Sequence, residues 1–225
     1  VTSYNLFTDT PQLAAAADSD ALSVGTAFYT TAPAWVTEFR YLSPTPGVSA
    51  SQCTAALYAT ADGLTGTLVA GPITLPAPTD GAWVTGALPA PYALDPGTRY
   101  RVVVFHPNGG YVATSRYFLD GEGAADRVHG PVVIPTADNV PYYRQGSYGY
   151  GAALQFPTQS FNGASYYSDV TITDVDPSTP PPPPPPSDAV DITVTGTLDP
   201  RRWATTLPER SKTATLEPRR WAGSL

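Results

Sequence analysis

Hydrophobic and polar side chains alternate with a period of two at many points along residues 1–176. In Trp35-Val-Thr-Glu-Phe-Arg-Tyr41, one face carries Trp35, Thr37, Phe39 and Tyr41 and the other Val36, Glu38 and Arg40. That pattern predicts a strand with one wet face. Arg99-Tyr-Arg-Val-Val-Val-Phe-His106 sets Tyr100, Val102, Val104 and His106 on one side. Its apolar centre predicts a central strand covered on both faces. Ser168-Asp-Val-Thr-Ile-Thr173 opposes Val170 and Ile172 to Asp169, Thr171 and Thr173. Further strands are predicted at 25–31, 54–60, 67–70, 83–88, 111–118 and 151–156.

Turn chemistry separates these runs: Asp62-Gly63, Asp80-Gly81, Asp95-Pro-Gly97 and Asn108-Gly-Gly110. In Asp95-Pro96-Gly97, proline presets one dihedral and glycine relieves the next. Short strands with such punctuation predict an all-β fold, an antiparallel, jelly-roll-like β-sandwich. The only helix the pattern admits, around Leu13 to Ala17, is too short to matter. Residues 119–165, rich in Gly, Tyr, Asn and Pro, read as a long functional or packed surface excursion.

The pattern breaks after Asp176. Seven consecutive prolines, Pro180 to Pro186, predict a polyproline II rod of roughly 20 Å. Beyond it three nonapeptides run in register: Thr197-Leu-Asp-Pro-Arg-Arg-Trp-Ala-Thr205, Thr206-Leu-Pro-Glu-Arg-Ser-Lys-Thr-Ala214 and Thr215-Leu-Glu-Pro-Arg-Arg-Trp-Ala-Gly223. A unit this small buries no face alone and needs neighbours, so either a stacked β-repeat or an extended, disordered tail fits. The predicted organisation is a sandwich over 1–176, a Pro-rich linker over 177–187 and an anchoring segment over 188–225. Arg201, Arg202, Trp203, Arg219, Arg220 and Trp221 are its candidate anchoring residues.

Composition sharpens this picture. The net charge is −7, and residues 1–176 hold 14 acidic against 6 basic side chains. A head of net −8 repels phosphate backbones, so nucleic acid is not an expected partner. Cys53 is the single cysteine; it excludes an internal disulfide and reads as a small buried hydrophobe. No apolar run reaches the roughly 18 residues of a membrane span, so no membrane insertion is expected. The N-terminus lacks the regions of a signal peptide. Its leading valine reads as a literally translated GTG start, which predicts a complete product made without export.

Residues 4–173 resemble a bacterial domain of unknown function found in secreted, cell-surface and carbohydrate-active multidomain proteins. The matching segments include Asp18-Ser-Asp20, Val24-Gly-Thr-Ala-Phe28, Pro91 to Tyr100, Phe105-His-Pro-Asn-Gly-Gly-Tyr111, Tyr148-Gly-Tyr150 and Ser165-Tyr-Tyr-Ser-Asp-Val170. The resemblance implies a β-sandwich accessory domain and carries over no catalytic residues. Two departures stand out: Ser43 to Gln52 differs from the family's Gly/Thr/His-rich turn, and Tyr167 stands where a tryptophan is common. Separately, the Leu-Glu-Pro-Arg-Arg-Trp repeats resemble those ending some virion and tail proteins of phages that infect actinobacteria.

No catalytic motif is legible, and the protein is not expected to be an enzyme. His106 reads as a hydrogen-bonded core histidine. Asp120, Glu122 and Asp126 are candidate oxygen donors for a structural Ca2+, with a solvated acidic turn the favoured alternative; Asp18 and Asp20 have the same standing. No other cofactor is expected. Tyr142, Tyr143, Tyr148, Tyr150 and Tyr167 are the candidate ligand-binding residues, because a phenol pairs a flat apolar face with a hydroxyl. Tyr148 and Tyr150 read as a loop platform and Tyr166 as core. The expected function is a phage virion protein: a capsid decoration, head fibre or minor tail component. Its partners would be other virion proteins, further copies joined through the C-terminal segment, and a host-surface glycan. The alternative is a carbohydrate-binding accessory module of a bacterial secreted or surface system.

Overall fold

The computed structural model describes residues 1–9, 11–16, 18–45, 52–136 and 145–178. The chain divides into two units, Val1–Pro181 and Pro182–Leu225. The run of seven prolines and the nonapeptides with their six candidate anchoring residues lie outside the described residues, as do Tyr142 and Tyr143.

Among the described residues, twelve strands build the first unit: β1 (Ser3–Asn5), β2 (Leu22–Thr30), β3 (Ala34–Leu42), β4 (Thr54–Ala59), β5 (Thr67–Thr74), β6 (Trp83–Leu94), β7 (Arg99–His106), β8 (Arg127–His129), β9 (Val132–Ile134), β10 (Ser147–Tyr150), β11 (Gln159–Ser160) and β12 (Ser168–Thr173). One sheet runs β1-β12-β3-β6. The other runs β11-β10-β2-β7-β4-β5, with β9 pairing the end of β2 and β8 pairing β9. Every pairing is antiparallel. Strands β2, β3 and β4 alternate between the sheets, which folds the chain as the expected jelly-roll-like β-sandwich.

The core follows the period-two rule. Val24 and Phe28 of β2, Ala55 and Leu57 of β4, and Tyr100, Val102 and Val104 of β7 face Val36, Phe39 and Tyr41 of β3 and Val170 and Ile172 of β12 in one cluster. The outer side of β7 is covered too, since Val103 joins Ala56 and Tyr58 in a second cluster closed by Leu154 and Phe156. Arg101 is fully buried on that side. Its guanidinium lies 4.6 Å from the Phe156 ring centre and donates to the carbonyls of Pro157 and Gly63.

One buried ion pair ties the N-terminus to the four-stranded sheet. Asp169, fully buried, accepts from Arg40 Nε and Nη2 at 2.9 and 2.6 Å and from the Leu6 amide at 2.7 Å. The Arg40 guanidinium also lies 4.1 Å from the Trp83 ring centre.

The structure corrects three local expectations. In β3, Thr37 is passed over in the pairings with both β6 and β12. This bulge switches the parity, so Val36 points inward with Phe39 and Tyr41, while Trp35 is only half-buried. Residues 111–118 form no strand. Val112 and Thr114 make isolated bridges to Ala15 and Ser165, after which Arg116, at φ 58°, turns the chain. Residues 151–156 bend over the outer face, and the strand lies just before them as β10. No helix forms at residues 13–16; Ala15 makes the bridge to Val112 instead.

Candidate functional site

Strand β10 runs beside β2, pairing Tyr148 with Val24 and Tyr150 with Leu22. The two tyrosines therefore project to the core-facing side of their sheet, next to its β11 edge. They stand on a strand, not the expected loop: the intervening Gly149, which disguises the pattern in the sequence, opposes Ser23. Their rings meet edge-on at 5.7 Å. Tyr148 is partly buried against the core, while Tyr150 is 51% exposed. Tyr166, read as core, is buried. Its ring lies 6.4 Å from Tyr148 and 5.3 Å from Tyr111, edge-on to both.

Asp18 holds this cluster together. Its Oδ2 accepts the Tyr150 hydroxyl at 2.7 Å and the Tyr111 hydroxyl at 3.2 Å, and its Oδ1 accepts the Asp20 amide at 3.0 Å. The Asn108-Gly-Gly110 turn fixes the Asp18 backbone through Gly110 N–H donating to the Asp18 carbonyl. Gly109 sits at φ 61°, and a Cβ there would lie 2.1 Å from that carbonyl; only glycine allows the approach. Burial pushes the Asp18 carboxyl up, but donors from Tyr150, the Asp20 amide and Tyr111 outweigh it and hold it below the usual range. The same bond, with burial second, pushes the Tyr150 phenol up to about 12. At neutral pH the rim therefore presents a carboxylate beside a protonated, exposed phenol. Stacking on the ring and hydroxyl recognition by the acid are available side by side.

A separate concavity lies elsewhere. A depression of about 1260 Å³ opens between residues 8, 9, 11 and 12 and residues 113–127, with Tyr167 in its lining. The Tyr167 ring itself is buried between Phe7, at 5.0 Å, and Tyr117, at 5.9 Å, so it is not an exposed platform. Its φ of 52° is rare for a bulky residue. Only its hydroxyl reaches outward, to Thr114 Oγ1 at 2.7 Å and Asp9 Oδ2 at 3.4 Å.

The proposed Ca2+ donors do not converge. Asp120 pairs with Arg116 at 2.6 Å on an exposed turn, and Asp126 accepts the Thr136 amide at 2.9 Å. Among the described residues, no three His, Cys, Asp or Glu side chains gather as a cation site.

The fold also brings together a pair that sequence distance concealed: His106 Nδ1 lies 3.5 Å from Cys53 Sγ. Both are buried. Burial pushes the thiol up to about 11, a hydrogen bond with Tyr41 opposing it, and drives the imidazole down to about 4. An activated cysteine needs a thiolate stabilised by a cation, and this pair is neutral on both sides. It reads as core, with Tyr41 edge-on to His106 at 5.3 Å.

Fold and site together define an antiparallel β-sandwich domain with an acid-braced tyrosine rim at one edge. A family model described as "Domain of unknown function (DUF4082)" matches residues 8–168, and the chain belongs to that family. Searches of curated proteins and of solved structures find no match.

Proposed function

We propose that this protein is a phage virion structural component that displays its β-sandwich as a non-catalytic adhesion head. The head binds host-surface glycan at the rim of Tyr148, Tyr150 and Asp18, and the C-terminal repeats mount the chain on capsid or tail proteins. The observation that carries the binding reading is the half-exposed Tyr150 ring locked by Asp18. Such a group loses little freedom when a ligand stacks on it, which lowers the cost of binding. The mounting reading rests on the Arg-Arg-Trp repeats and the proline run of the sequence. Repeated weak contacts around a symmetric particle add up through avidity.

Two measurements test the two halves. On a glycan array, the full chain binds and Tyr150→Ala loses at least about tenfold in affinity, the weight of one aromatic anchor; a blank array or an indifferent variant removes the glycan reading. A chain ending at residue 178, co-expressed with the particle genes, is left off purified virions; normal incorporation removes the mounting reading. The sequence likeness to domains of secreted bacterial proteins favours a second reading, a carbohydrate-binding accessory module of a cell-surface system. Immunodetection in purified particles or in the bacterial surface fraction separates the two.

A further inference from the structure

The depression between residues 8, 9, 11 and 12 and residues 113–127 has no part in the rim just described, yet its floor is built of hydrogen-bonded polar groups. Asp9 and Arg127 pair at 3.1 Å and keep only 17% and 15% of their side-chain exposure. Tyr117 donates to Asp9 Oδ1 at 2.9 Å and accepts from Arg127 Nη1. Arg127 Nη2 donates to Thr8 Oγ1 at 3.2 Å. The long contact from Tyr167, at 3.4 Å, falls on Asp9 Oδ2. Burial, and behind it the Asp9 carboxylate, keeps the Tyr117 phenol protonated; burial does the same for Tyr167. Both therefore keep their hydroxyl protons, and the carboxylate keeps an acceptor position beyond the bonds named here.

We propose that this depression is a second ligand site, independent of the tyrosine rim, and that it takes a neutral polyhydroxyl ligand through a vicinal diol such as a sugar ring presents. A carboxylate beside a guanidinium matches a diol, one accepting a hydroxyl hydrogen and the other donating to a hydroxyl oxygen. At about 1260 Å³ the depression is larger than the roughly 300–1000 Å³ of small-ligand sites, leaving room for a ring carried on a longer chain. Charge selects against anions: Asp9 offsets Arg127, Asp120 is matched by Arg116, and Glu122 adds a negative charge to the wall. Pro11, Ala113, Ala124 and Ala125 offer small apolar surface to the C–H face of a ring.

The test is amide-resolved NMR of the isotope-labelled full chain, titrated with methyl glycosides of common hexoses and pentoses and with their fully O-methylated counterparts. The expected result is a saturable shift at Thr8, Asp9, Ala113 to Ser115 and Gly121 to Ala125 that disappears when the hydroxyls are methylated. Asp9→Asn weakens it about tenfold or more, the worth of a hydrogen bond to a charged group. Ala125→Trp fills the depression from an exposed position without removing any bond in the floor, so it decides the matter even where Asp9→Asn misfolds. It must abolish the shift while amides elsewhere keep their positions. No saturable shift with any glycoside, persistence of the shift in Ala125→Trp, or undiminished binding of the O-methylated probes overturns the proposal. Shifts confined to Asp18, Tyr148 and Tyr150 overturn it too, and leave the rim reading standing; shifts confined to the depression do the reverse.

Discussion

His106 should make the stability of the sandwich fall steeply in mild acid. It is 2% exposed, its Nε2 has no hydrogen-bond partner, and burial drives its pKa from 6.5 to about 4. The unfolded chain protonates this imidazole near 6.5, while the folded chain resists until about 4. Between those values the unfolded state binds one more proton, so stability rises with pH across the window and is lost as pH falls through it. One proton is worth about 1.4 kcal/mol per pH unit. The full window therefore costs about 3 kcal/mol, or roughly 6–12 °C in melting temperature for a domain of this size. Asp18, Asp62 and Asp174 are held below 3.8 and weaken the fold only at lower pH. Asp169, raised by burial against the pull of Arg40, works with the opposite sign.

The measurement is urea unfolding followed by tryptophan fluorescence, from neutral pH down to about 4, for the parent chain and for His106→Gln. The variant's absolute stability also changes, since it repacks a buried contact with Tyr41 and Tyr111. The readout is the slope against pH, in which the carboxylates cancel between the two proteins. The parent should lose about 3 kcal/mol more than the variant over the window. Parallel curves would refute the reasoning, because a histidine that charges freely in the folded state contributes no slope.

Two further substitutions probe the frame. Asp169→Ala strands the Arg40 guanidinium and the Leu6 amide and should cost about 3–5 kcal/mol; chemical denaturation showing less than about 1 kcal/mol would mean water replaces the carboxylate freely. Gly146→Ala places a Cβ 1.7 Å from the Ala164 carbonyl at φ 62°, next to β10. Loss of a cooperative melt or of soluble protein is expected, and a melting temperature equal to the parent's would show that this loop shifts at no cost.

What the sequence discloses here depends on how far apart the determinants lie. Strands β7 and β12 are legible to the residue, because alternation is a property of neighbours and both strands pair along their whole length with a regular inner face. In β3 the same rule assigns the faces wrongly past one residue. The Thr37 bulge answers to β6 and β12 together, and no neighbour of Thr37 announces it. Strand β10 is hidden for a different reason: its alternation is Ser-Tyr-Gly-Tyr, and the rings are fastened by polar contacts as well as by core burial. The site repeats the contrast. Tyr148 and Tyr150 stand out as a pair, yet the carboxylate that braces Tyr150 lies 132 positions away, and Tyr117 meets Asp9 across 108. Period-two patterning encodes which side of a sheet is dry, a demand every core residue shares. A polar floor or rim is specified only by the crossing of irregular segments, each satisfying a donor or acceptor supplied by another. The segment 111–118 departs from the expected strand on this account. Tyr111 is spent on Asp18, Thr114 on Tyr167 and Tyr117 on Asp9 rather than on a ladder, so its departure from regular pairing marks the polar rim and floor it helps to build.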